Sequence, residues 1–272
     1  MSTHHPSAAI GVFDSGIGGL TVAREIASRF PHEDLLYLGD TARLPYGTKS
    51  PETVVRYAHK CVEFLAQQPI KAIVVACNSA SAAAVPDLRR SFDVPVLGVI
   101  GPGARAAARA TQNRRIGVIG TRGTVRSRSY DERLAEISSE LQVFSNPAPL
   151  LVNLAEEGWV EGEVPQRVVE TYLEPLLAES IDTLVLGCTH YPLFKPLIAR
   201  WFATLERRIA LVDSAVALTD ELEARLAEDD LLRRDHNGRT LQFYATDDPT
   251  RFRDVGRAFF GHELDDVRLV DI

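Results

Sequence analysis

Apolar and polar positions fall in blocks along this chain. Short apolar runs end in Gly- or Ser-rich turns, and helix-length mixed segments follow them. Residues 10–13 predict a strand and 18–29 a helix; 35–38 predict a second strand, which feeds a loop over 39–50. Pro51 suits the first helical position and Glu52 the positive end of the dipole, so 51–68 predicts a helix. The run 70–76 is continuously apolar apart from Lys71, as a strand buried on both faces would be. The alternation continues through 79–91, 95–99, 101–112 and 115–119. Further strands are expected near 141–144, 182–187, 209–212, 241–245 and 267–270. Strand–helix alternation of this kind predicts the α/β class, with mainly parallel sheets covered by helices.

A weak internal repeat divides that pattern in two. IGVFDS at 10–15 lines up with IGVIGT at 116–121, and LLYLGD at 35–40 falls over LQVFSN at 141–146 at the same spacing. IKAIVVAC, ending at Cys77, then matches IDTLVLGC, ending at Cys188, at a slightly larger spacing. Three matches in order predict two related α/β domains, 1–98 plus 210–272 carrying Cys77, and 99–209 carrying Cys188. Each cysteine terminates a predicted buried strand at its carboxyl end, where open α/β sheets bind ligands. If the two units face each other, the two sulfurs approach one cleft from opposite walls.

Composition narrows the function classes. Hydrophobic residues make up 45% and charged residues 25% of the 272, a globular balance that argues against disorder. No run approaches the roughly 18 apolar residues of a membrane span. The start MSTHHPSAAI has no basic region followed by a long apolar stretch, so no signal peptide and a cytoplasmic location are expected. A formal charge of −7 disfavours nucleic acid and anionic membranes as partners. Three cysteines, an odd number, argue against a disulfide framework.

The candidate chemistry sits in the loops after the strands. In DSGIGG at 14–19, the dinucleotide pattern GxGxxG fails because position 21 is Thr. Backbone amides and the Ser15 hydroxyl there suit a carboxylate, with Asp14 as a nearby acceptor; the bland alternative is a helix cap. Asn78 and Ser79 place donors beside Cys77, and a helix N-terminus there favours the thiolate. Thr189 and His190 stand in the same way beside Cys188, while Cys61 reads as an ordinary buried helix residue. The facing pair has three candidate uses. Zinc could take Cys77, Cys188 and His190, although no fourth ligand is evident. A redox dithiol would normally be CxxC, which does not occur. Acid–base chemistry, one sulfur removing a proton and the other delivering one, suits inversion of a stereocentre. The loop 39–47 is long for a βα connection, so Pro45, Tyr46 and Gly47 read as a segment able to close over a ligand. Thr121 and Thr124 could bind an anion or cap a helix equally well.

At these motifs the chain resembles the glutamate racemases of the aspartate/glutamate racemase superfamily. The segments are GVFDSGIGGLTV (11–22), YLGDTARLPYG (37–47), VVACNSASA (74–82), IGVIGT (116–121) and LVLGCTHYPLF (184–194). The resemblance implies a cofactor-independent, metal-free interconversion of L- and D-glutamate for peptidoglycan synthesis, with Cys77 and Cys188 as the two bases. It implies that Asp14 assists Cys77, and that His190 and Glu156 assist Cys188. It further implies substrate contacts at Asp14, Ser15, Pro45, Tyr46, Gly47, Asn78, Ser79, Thr121, Thr124, Thr189 and His190. The departures are Ser79 in place of the commoner Thr, Leu44 and Thr48 in the tyrosine loop, and the stretch 150–155 before Glu156. Of the four lysines, only Lys49 lies near a site loop, and no phosphate motif accompanies it, so no pyridoxal cofactor is expected. The expected partner is the small-molecule substrate, with a homodimer as the default assembly. Alternatives are a racemase for another amino acid, a related decarboxylase or isomerase, and a non-catalytic amino-acid-binding protein.

Overall fold

Parallel strands buried on both faces carry the fold. The computed structural model describes residues 5–234 and 239–272, so the first four residues of the N-terminal stretch lie outside the described residues. In chain order the first unit begins with β1 (Ala9–Asp14), α1 (Leu20–Arg29), β2 (Leu35–Gly39), α2 (Pro51–Leu65) and β3 (Ile70–Val75). It continues through α3 (Asn78–Ser91) and β4 (Val96–Gly98). Every residue of β1, β2 and β3 is buried, including Lys71, whose ammonium pairs with Glu33 and donates to the Leu231 carbonyl at 2.8 Å. Ser50 caps α2, with Pro51 at its first position as its sequence predicts.

The second unit follows with α4 (Ile100–Ala110), β5 (Arg115–Gly120), α5 (Arg122–Ser127), α6 (Ser129–Ile137) and β6 (Gln142–Pro147). Next come α7 (Leu150–Glu156), α8 (Glu163–Ala178), β7 (Thr183–Gly187), α9 (Lys195–Thr204) and β8 (Ala210–Asp213). The chain then returns to the first sheet through α10 (Ser214–Glu228), β9 (Leu241–Ala245), α11 (Pro249–Phe260) and β10 (Val267–Leu269).

The two sheets run β10-β9-β2-β1-β3-β4 and β6-β5-β7-β8, and every strand pair is parallel. The order β2-β1-β3-β4 is therefore repeated as β6-β5-β7-β8. The repeat extends to register at the cysteine-bearing strands. Val12 pairs with Val74 in the first sheet and Val118 with Val185 in the second, the partners the sequence repeat assigns.

The unit boundary needs one correction. The expectation placed residue 210 onward with the first unit, but β8 pairs with β7, Val185 opposite Val212, and completes the second sheet. A short apolar run does not reveal which sheet edge it will join, and the open edge of β7 takes this one. The passage back to the first sheet is α10, which packs against α1 and α4. One hydrophobic cluster runs through both units, joining Ile10 and Val12 to Ile116 and Val118 by way of α1, α4 and α10. A second covers the outer face of the first sheet beneath α2 and α3.

Candidate active site

A cavity of about 580 Å³ opens between the carboxyl ends of the two sheets, within the range of small-molecule sites. Cys77 follows β3 and Cys188 follows β7, and both sulfur-bearing residues line this one cavity, 7% and 6% exposed. Ser15, Pro45, Tyr46, Gly47, Asn78, Ser79, Thr121, Glu156, Thr189 and His190 also line it. Asp14 and Thr124 do not reach the lining; both are buried behind it. Sequence reasoning passed over Arg122, Asn153 and Tyr172. Arg122 had a signal, being flanked by Thr121 and Thr124, but Tyr172 sits in the middle of α8, where nothing local marks it.

Cys77 caps α3, its sulfur accepting from the Ala80 amide at 3.4 Å. Its thiol reaches the Ser15 hydroxyl at 3.5 Å. Burial, then the charge of Asp14, push this thiol up to about 12, overcoming the Ser15 and Ala80 contacts that favour the thiolate. The helix terminus alone pointed towards a lowered value; in the folded cavity, desolvation dominates. Cys77 therefore rests as a proton carrier. Asp14 has no hydrogen bond to it. The carboxylate accepts from the Gly16 amide at 3.0 Å, and its Oδ1 has no partner among the described residues. Burial raises the Asp14 pKa, partly countered by the charge of His190 and the amides of Gly19, Gly16 and Ser15.

Cys188 faces different chemistry. His190 Nδ1 lies 3.7 Å from its sulfur, and His190 Nε2 lies 3.1 Å from Glu156 Oε1. Burial disfavours the imidazolium, but the bonds to Cys188 and Glu156 outweigh it and hold His190 up at about 10. Glu156 is pulled down despite its burial, by His190 and by Arg251, whose guanidinium is 3.6 Å away. A thiol stands on one wall of the cavity and a sulfur backed by a cation on the other.

Hydroxyls join the walls. Ser79 of the first unit meets Thr121 of the second at 3.0 Å, and Thr124 lies 3.4 Å behind Ser79. Thr121 also accepts from the Thr124 amide, so capping and lining are one role here rather than alternatives. A Cβ on Gly47 would come within 2.7 Å of Thr121 Oγ1, so the loop closes on the second unit only because residue 47 has no side chain. Tyr46 is 2% exposed at the edge of the cavity, and its hydroxyl donates to Asp40.

Among the described residues no group of three or more His, Cys, Asp or Glu side chains is placed to hold a metal. All three cysteines are free.

Comparison with known proteins adds a family. A family model for Asp/Glu/hydantoin racemase matches residues 17–222. Glutamate racemase of Geobacter metallireducens is 47% identical over 267 residues, covering 98% of each chain. The crystal structure of a glutamate racemase isoform from Bacillus anthracis superimposes with a TM-score of 0.92 at 40% identity, covering 98% of this chain and 99% of that one. Glutamate racemase from Francisella tularensis, solved in complex with D-glutamate, gives 0.90 at 37% identity over 98% of both chains.

Proposed function

The chain belongs to the Asp/Glu/hydantoin racemase family, among the glutamate racemases, and we propose that it interconverts L- and D-glutamate by a two-base exchange at Cα. The observation that carries this reading is the convergence of Cys77 and Cys188 on one cavity from equivalent strands of two sheets. Racemisation requires a proton to leave one face of a tetrahedral carbon and another to arrive on the opposite face. In the L-to-D direction Cys188 acts as the thiolate opposite the His190 imidazolium, takes the α-proton and becomes a thiol, while negative charge develops on the substrate. Cys77, resting as a thiol, delivers a proton to the other face. The D-to-L direction reverses the roles.

Ser15, Asn78, Ser79, Thr121 and Thr189, together with the backbone of 45–47, bind the two carboxylates and the ammonium. Asp14 acts on Cys77 through its charge, and Glu156 acts on Cys188 through His190. Thr124 supports the hydroxyl cluster from behind. Fixed donors of this kind, shielded from water, stabilise the carbanion-like transition state. None of the lysines lines the cavity, which supports a reaction without a Schiff-base cofactor. The D-glutamate formed serves peptidoglycan synthesis.

The test is a cofactor-free assay with L- and D-glutamate in heavy water, followed by chiral analysis and mass spectrometry. Glutamate should racemise and take up deuterium at Cα. Cys77→Ala and Cys188→Ala should each lose at least the roughly 10²–10⁴-fold typical of a general acid or base, while remaining folded. Near-normal turnover by either variant would remove that cysteine from the mechanism. Binding without exchange would make the protein a receptor rather than an enzyme.

A further inference from the structure

Asn78 is the residue after Cys77, the first of α3, and it is 2% exposed while lining the cavity. Its Oδ1 accepts from the Tyr130 hydroxyl at 2.8 Å, and its Nδ2 has no partner among the described residues. A buried amide donor left open beside a ligand cavity is costly unless a ligand completes it. Tyr130 belongs to the other unit, on α6, and is itself 2% exposed. Its ring lies against the strand that ends at Cys188, for a Cβ on Gly187 would come within 3.2 Å of Tyr130 Cε2. Burial keeps that phenol protonated.

We propose that Tyr130 is a positioning residue that fixes the orientation of the Asn78 amide, turning Nδ2 into the cavity as a donor to a substrate carboxylate. A side-chain amide has nearly the same shape in its two orientations, so something must choose between them. With Tyr130 donating to Oδ1, the nitrogen faces the ligand. In the reverse orientation the carbonyl oxygen would face the cavity and repel a carboxylate. The phenol thus makes the second unit set a substrate contact on the first. This assignment rests on the proposed glutamate reaction.

The experiment is a double-mutant cycle in KM and kcat, with turnover of glutamate by the wild-type enzyme as the separate check on the reaction itself. Tyr130→Phe keeps the ring and removes only the hydroxyl. It should raise KM for L- and D-glutamate on the order of 3- to 10-fold, the value of one hydrogen bond, with kcat changed by less than about 2-fold. In an Asn78→Ala background, Tyr130→Phe should change KM no further. Asn78→Asp keeps an acceptor towards Tyr130 but replaces the donor with a second acceptor, and should raise KM at least as much as Asn78→Ala. The assignment is overturned if Tyr130→Phe leaves KM unchanged, or if its effect persists in full without Asn78. Wild-type KM in Asn78→Asp would also overturn it, showing that the amide faces the other way; that variant decides the question even if Tyr130→Phe fails to fold.

Discussion

His190 shows how far a single residue depends on its surroundings. A histidine two positions after a cysteine is often structural, and burial alone would keep its ring neutral. Here Glu156 on one nitrogen and Cys188 on the other raise it to about 10. The folded value lies above the ordinary 6.5. The stability linked to this charge is therefore fully present below about 6.5 and is lost as pH rises through about 10. Glu156→Gln retains a hydrogen bond but removes the negative charge. We expect NMR titration of the His190 ring to show a midpoint near 10 in the native protein. In the variant that midpoint should lie lower by about one unit or more, a tenfold or greater change in protonation equilibrium. Equal midpoints would show that Glu156 does not hold the imidazolium. Both cysteines were legible because a strand end marks them. The roles of Thr21 and Tyr130 were not, since their partners are far away in sequence and meet only in the folded molecule.

At the level of elements, the strands and most helices follow the hydrophobic pattern within a few residues, because parallel sheets buried on both faces force continuous apolar runs. The loop between β2 and α2 is different. Its length marks it as functional, but not how it is held. Asp40 is fully buried and accepts from Arg43 Nε at 2.8 Å, from Thr246 Oγ1 at 3.0 Å and from the Tyr46 hydroxyl. The Tyr46 ring packs against Tyr57, with Cys61 3.8 Å from its oxygen. These bonds make the segment a pinned wall that presents residues 45–47 to the cavity. Tyr46→Phe removes one bond to a buried carboxylate and should cost about 1.5–3 kcal/mol of stability. KM for glutamate should rise several-fold with the loosened wall. Denaturant unfolding and steady-state kinetics would check both, and unchanged values would mean that Arg43 and Thr246 suffice to anchor the loop.

Across the whole molecule the two units are both duplicated and tied together. The strand order repeats, and the shared register of Val12 with Val74 and Val118 with Val185 brings Cys77 and Cys188 to equivalent strand ends. The repeat was readable from sequence; the way the halves face each other was not, because apolar periodicity carries no information about contacts between units. The contacts are reciprocal. Tyr130 of the second unit bonds Asn78, next to Cys77, and Thr21 of the first donates to the carbonyl of Thr189, next to Cys188, at 2.9 Å. Each cysteine is thus steadied from the opposite half, and the common core passing through α1, α4 and α10 restricts sliding between the halves. Thr21→Val keeps the shape and deletes the hydroxyl, leaving a buried carbonyl short of a partner at a cost of about 1–3 kcal/mol. If that bond also holds Cys188 in line with Cα, kcat/KM should fall roughly tenfold, since small misplacements of reacting groups are expensive. The fall must be equal for L- and D-glutamate, because the equilibrium constant between enantiomers in water is unity. Measuring both directions beside thermal unfolding separates the two effects. Lost stability with undiminished kcat/KM would reduce Thr21 to a packing role and leave the alignment of Cys188 to the shared core alone.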